Sequence, residues 1–109
     1  AAGDAQEHDL RPRPGDPDCV VVNIDAVNES LLHGWARYER SKVPVVLEIF
    51  VNSVFHGKVT ASKYRVDLYE KFSKSCAFVY RFDGKYKPSK GDVFTVRVAH
   101  TEIQAVKIF

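Results

Sequence analysis

Methionine is absent from the 109 residues, tryptophan occurs once and cysteine twice. Each scarcity excludes something. Without an initiator Met, the numbering is expected to begin inside a longer protein or after a processed segment, which would hide any targeting signal. The two cysteines, Cys19 and Cys76, are too few for a disulfide framework or a zinc site. They are expected as small buried thiols at strand starts, or as one disulfide if those strand ends meet. No apolar run approaches the roughly 18 residues that span a bilayer. A nucleophile elbow, a phosphate-binding glycine loop and a convincing Ser/His/Asp set are also missing. His8, His33, His56 and His100 show no metal spacing. The expectation is therefore a protein that is not an enzyme, with no metal and no cofactor.

What is present is a chain of one-domain length with an ordinary hydrophobic fraction of 45% and charged fraction of 28%. Its charge is uneven. Residues 1–18 hold five acidic residues against two arginines, whereas the remainder holds fourteen Lys/Arg against nine Asp/Glu. A mildly basic domain behind an acidic tail permits polyanion binding without requiring it. Three of the five prolines fall in Arg11-Pro12-Arg13-Pro14-Gly15-Asp16-Pro17-Asp18. Proline fixes φ and removes a donor, so residues 1–18 are expected to be a flexible Pro-rich linker or tail. Residues 19–109 are expected to form one domain.

From Cys19 onward the texture is strand-like. Val20, Val22 and Ile24 alternate in the first run, and Leu31 to Tyr38 forms the second around Gly34-Trp35-Ala36. Val43 to Val51 is the strongest strand, with Val45, Leu47, Ile49 and Val51 on one face and Val46, Glu48 and Phe50 on the other. Asn52-Ser53 turns it into Val54 to Ala61, a hairpin with Phe55, Val59 and Ala61 sharing a face. Cys76, Phe78, Tyr80 and Phe82 line up in the next strand, which ends at the Asp83-Gly84 turn. Phe94, Val96 and Val98 point inward from the run after Gly91-Asp92, and Ile103 to Phe109 is the last strand. Between Ser62 and Ser75 the reading stays open, because Tyr64, Leu68 and Phe72 suit a helical turn or a compact crossing loop equally. Seven strands with short turns and no long helix argue for an all-β antiparallel sandwich, Ig-like or jelly-roll-like, ahead of a small barrel.

The order of these pieces resembles a β-sandwich module recurrent in bacteria. Its pattern is G-W-A, a V-x-V-x-V strand, an x-G-x-V-x-A strand, Y-R-x-D-L and a G/C-x-F strand. It is matched here by Gly34-Trp35-Ala36, the valine-rich third strand, the strand with Gly57, Tyr64-Arg65-Val66-Asp67-Leu68 and Cys76-Ala77-Phe78. The likeness covers most of residues 20–100. Lys71-Phe72-Ser73-Lys74-Ser75 departs from it, standing where a glycine-rich turn often precedes the G/C-x-F strand. Such modules are appended to glycosyltransferases and other cell-surface polysaccharide proteins. The resemblance implies a noncatalytic accessory domain acting by carbohydrate binding or domain packing, its partner a glycan or an adjacent domain of the parent protein.

Candidate ligand residues follow from chemistry. Trp35 and the tyrosines Tyr38, Tyr64, Tyr69, Tyr80 and Tyr86 offer ring faces to a pyranose, and Arg65 with Asp67 could grip hydroxyls. Each has a plainer alternative. Alternation puts Trp35 opposite Leu32, Gly34 and Ala36, and the burial tendency of large apolar residues favours a packed ring. Arg65 and Asp67 read first as a clamp holding the Ser62–Ser75 crossing. Arg81, Lys85, Lys87 and Lys90, with Tyr80 and Tyr86, form the best basic–aromatic cluster. In a barrel it could track single-stranded nucleic acid, but seven strands count against that partner.

Overall fold

Each alternating run becomes a strand. The computed structural model describes residues 19–84 and 86–109, so the expected linker at 1–18 lies outside the described residues. The strands are β1 (Val20–Val27), β2 (Leu31–Tyr38), β3 (Val45–Val51), β4 (Val54–Ala61), β5 (Ala77–Arg81), β6 (Val93–Val98) and β7 (Gln104–Ile108). One short helix, α1 (Val66–Phe72), separates β4 from β5. Among the described residues no helix is long and apolar enough to cross a membrane.

The strands form two antiparallel sheets, β1-β2-β5 and β4-β3-β6-β7. Only the sequence-adjacent pairs β1-β2, β3-β4 and β6-β7 are hairpins, and every other connection changes sheet. That order is the Ig-like form of the expected sandwich, with the fourth strand beside the third. The core lies between the sheets. Val45, Leu47, Ile49 and Val51 face Val20, Leu32, Ala36 and Phe78, and Phe94, Val96 and Val98 complete the four-stranded side. Phe78, Phe82 and Phe94 are its largest fully buried side chains, each contributing roughly 2–3 kcal/mol of transfer free energy.

Two face assignments differ from the alternation. Phe55 is exposed, because a bulge at Ile49/Phe50 leaves His56 as an extra residue between the Gly57 and Phe55 pairings. Phe55 therefore leaves the Val59/Ala61 face and packs edge-on against Phe50, with centroids 5.7 Å apart. Cys76 precedes β5 and belongs to a second, smaller cluster with Leu68 and Ala77, against which Trp35 and Phe72 pack. Its thiol is unbridged.

That second cluster settles the open segment. Val66 to Phe72 is helical, and the four-residue spacing of Leu68 and Phe72 turns both onto the outer face of the three-stranded sheet. Tyr64 precedes the helix and is exposed. The excursion is closed at its neck by reciprocal backbone bonds between Lys63 and Ala77, 2.8 and 3.0 Å. The molecule is thus a two-sheet sandwich with a small helix laid on one outer face.

Gly34 sets how closely β1 and β2 approach. A Cβ there would overlap the Asn23 carbonyl oxygen in β1, so β2 comes this close only without a side chain. Beside it the register slips between Ile24 and Ala26, leaving Asp25 as the unpaired residue of a bulge. The extra residue re-aims the β1 side chains at this point.

Candidate functional site

Three surfaces divide the sequence candidates among them. On the helix-covered face, Trp35 is half-buried and its ring lies 5.3 Å from Phe72, centroid to centroid. Arg37 stacks its guanidinium over the other contact of that ring, 3.9 Å from the Phe72 centroid. Trp35 is therefore an architectural anchor for α1. Arg65 caps the helix start in an extended conformation and reaches two carboxylates. Its Nε and Nη2 donate to Asp67 Oδ1 and Oδ2 at 3.1 and 2.7 Å, and its Nη1 donates to Asp25 Oδ2 at 2.5 Å. Asn23 Nδ2 donates to the other Asp25 oxygen at 2.8 Å. The pairing holds Arg65 charged well above its ordinary range, through Asp67 first and Asp25 second, and pulls Asp67 below the usual carboxylate value. Three guanidinium donors are thereby committed to internal carboxylates, which is the geometry of a clamp between β1 and α1.

Tyr38 and Tyr80 face inward. Tyr38 packs against the core at the end of β2. The Tyr80 hydroxyl sits 2.8 Å from His56 Nδ1 and fills the space beside Gly57, where a Cβ would collide with it. Burial pushes the Tyr80 phenol up. His56, the bulge residue, is ringed edge-on by Tyr80 at 5.6 Å, Phe82 at 6.2 Å and Tyr86 at 5.4 Å. The Tyr86 hydroxyl donates to Asp92, which also accepts the Ser89 amide at 2.8 Å and the Asn52 amide at 3.1 Å. Burial and then the Asp92 bond raise the Tyr86 phenol to about 12, while Asp92 is held below the ordinary carboxylate value, chiefly by Tyr86.

Beside Tyr86 the surface opens. A depression of about 430 Å³ is lined by Glu29, Ser30, Arg81, Phe82, Asp83, Gly84, Tyr86 and Lys87. Its walls are two turns that the sequence separates by half the chain. They meet because Leu31 pairs with Arg81 and the Phe82 amide donates to the Ser30 carbonyl at 3.0 Å. Asp83 and Gly84 both take positive φ, which folds the second wall back on itself. The half-buried Tyr86 ring forms one side over buried Phe82, and both charge signs form the rim, with Lys87 and Glu29 3.8 Å apart. The basic–aromatic cluster is thus interleaved with acids in a sandwich loop, and its barrel setting does not exist. Lys85 lies outside the described residues.

The third surface holds Tyr64 and Tyr69, 63% and 47% exposed, with ring centroids 5.5 Å apart. Of the eight candidate residues, Arg65 and Asp67 touch, Tyr64 and Tyr69 pack together, Tyr80 and Tyr86 share His56, and no single place unites them all. Sequence reasoning missed Asp25, His56 and the rim acids. The turns Asn28-Glu29-Ser30 and Asp83-Gly84 were legible as turns, but nothing local signalled that they adjoin. Among the described residues, no group of three or more His, Cys, Asp or Glu could hold a metal ion. Neither the family models, nor the curated proteins, nor the solved structures contain a match to this chain.

Proposed function

We propose that this chain is a noncatalytic accessory module of a polysaccharide-related bacterial protein and that it binds carbohydrate in the depression beside Tyr86. The observation that carries the reading is the composition of that wall. The exposed part of the half-buried Tyr86 ring, over a floor of buried Phe82, lies next to Arg81, Asp83, Glu29, Ser30 and Lys87. A sugar ring needs that combination, because its C–H face is apolar while each hydroxyl both donates and accepts. A volume of about 430 Å³ falls within the range of small-ligand sites. The ordered motifs around Gly34-Trp35-Ala36 supply the polysaccharide context.

The test is a titration of the 15N-labelled protein with a panel of neutral mono- and oligosaccharides. Supporting hits shift the amides of Arg81, Asp83, Gly84 and Tyr86, and Arg81→Ala weakens them by on the order of tenfold, the worth of a charged hydrogen bond. Hits confined elsewhere, or none across the panel, would reject this site.

A second reading, packing against an adjacent domain of the parent protein, is favoured by the outer face of the four-stranded sheet. There Val46, Phe55, Val106 and Ile108 are 41–65% exposed around Phe50. Phe55→Ser in the parent protein, tested by limited proteolysis, loosens the domain contact if that reading holds.

A further inference from the structure

A second cleft lies at the opposite end of β2 from the depression, and its lining is cationic. Arg37 and Tyr38 from the end of β2, Ser41, Lys42, Val43 and Pro44 from the following loop, and Lys74 to Cys76 before β5 surround it. Three of these residues carry positive charge. Each is held by a different constraint. Arg37 is laid over the Phe72 ring at 3.9 Å, and its Nε is buried without a hydrogen-bond partner among the described residues. Lys74 is tethered by donating to the Tyr38 carbonyl, which leaves its other ammonium protons uncommitted. Lys42 stands in the loop whose turn is fixed by the Val43 amide donating to Ser41 Oγ at 3.1 Å. Cys76 and Glu39 oppose the cations at Lys74, Cys76 ranking below Arg37 and Glu39 below Lys42. Burial, and then Arg37, lower the Lys74 ammonium from its ordinary value, the direction expected where cations crowd without enough anion.

We infer that this cleft binds an oxyanion through Arg37, Lys42 and Lys74. The enclosed part of the cleft holds only about 10 Å³, room for a single water-sized atom. One oxygen of the anion enters there, and the rest of the group remains at the mouth, within reach of Lys42. The shared chemistry is a carboxylate, sulfate or phosphate oxygen set, whose source is either a free inorganic ion or the acidic group of a charged sugar. A guanidinium held flat by a ring and flanked by ammonium groups suits such oxygens. The site is separate from the neutral-sugar reading above and survives its failure.

The experiment titrates the whole chain at low ionic strength with inorganic phosphate, glucuronate and neutral glucose, following the Arg37 Nε–H and the Ser41–Val43 amides by NMR. Phosphate or glucuronate should shift these signals with saturation, and glucose should not. A response to phosphate alone assigns the site to the free ion, and a tighter response to glucuronate assigns it to an acidic sugar. Lys42→Ala and Lys74→Ala should each weaken the anion by about tenfold, one charge-assisted bond. Lys42 is exposed, so its replacement leaves the fold intact. The absence of saturable shifts with both anions, or an affinity unchanged in Lys42→Ala and Lys74→Ala alike, overturns the inference.

Discussion

Single residues decide where this backbone can go. Gly34 and Ser73 make opposite cases. At Gly34 any side chain meets the β1 backbone, so Gly34→Ala should destabilise by about 3 kcal/mol, as overpacking does. Ser73 ends α1 with φ 57° and ψ 35°, a left-handed conformation that favours glycine, and its amide donates to the Tyr69 carbonyl at 2.8 Å. Ser73→Gly should therefore stabilise by about 0.5–1 kcal/mol. Denaturant midpoints of the two variants, moving in opposite directions, check both. The left-handed backbone at the end of α1 thus has a physical cost, located at Ser73.

Tyr86 and Asp92 give the pH dependence at the same scale. Asp92 titrates below the ordinary carboxylate value in the folded chain, so its contribution is present above that ordinary value and lost as pH falls through the lowered one. Tyr86 keeps its proton to about 12, whereas an unfolded tyrosine releases it near pH ~10. Between those limits the folded state binds more protons, and stability declines as pH rises. Tyr86→Phe should flatten both flanks of the stability–pH curve. Unchanged slopes in urea unfolding at acid and alkaline pH would contradict the Tyr86–Asp92 bond.

Among the elements, α1 is the one whose stability is borrowed. Seven residues are too few for a helix to persist alone. It is held by Leu68 and Phe72 below, by the Arg65 clamp at its start and by the Lys63–Ala77 neck. Phe72→Ala should open this layer locally, costing about 2 kcal/mol for a half-buried ring. The readout is Trp35 fluorescence, shifted to the red as the ring loses its cover, with amide exchange accelerated over 64–72 before the sheets. Simultaneous, global acceleration would show that the layer is part of the main cooperative unit.

The strands were more legible than the helix, and the reason is period. Leu31–Tyr38 and Val54–Ala61 emerge with the boundaries that their alternation and flanking turns suggest. Alternation fails at Cys76, which precedes β5, and where a residue is inserted. One extra position at His56 moved Phe55 outward, and one at Asp25 set up a carboxylate for Arg65, forty positions away. Bulges carry no composition mark in this chain, and a seven-residue helix offers two contacts of its period, too few to separate from a loop. The depression was illegible for a different reason, since its two walls join only through β2–β5 pairing.

As a whole, the molecule is two sheets whose outer faces are unlike. One wears the helix and its ion pairs. The other is bare and carries Phe50 and Phe55, with Arg97 over the Phe50 ring at 4.3 Å and 3.7 Å from Glu48. Of the five strand pairings among the described residues, three are hairpins, whereas β2–β5 and β3–β6 close long loops. Such nonlocal topology places refolding in the range of about milliseconds to seconds. Stopped-flow tryptophan fluorescence should show it, and a microsecond phase that restores the full Trp35 signal would contradict the layer's dependence on β5.

The bulge at Asp25 has a consequence for synthesis. β1 and β2 leave the ribosome as a hairpin before Arg65 exists. At about 5–20 residues per second, the 27 positions from Tyr38, where β2 ends, to Arg65 take about 1–5 s. Throughout that interval the hairpin's alignment rests on Gly34 and its own ladder, without the guanidinium that later grips the inserted carboxylate. A nascent chain stalled before residue 65 is therefore the form in which β1 can slide by one residue, and a chain stalled after it is the form in which it cannot.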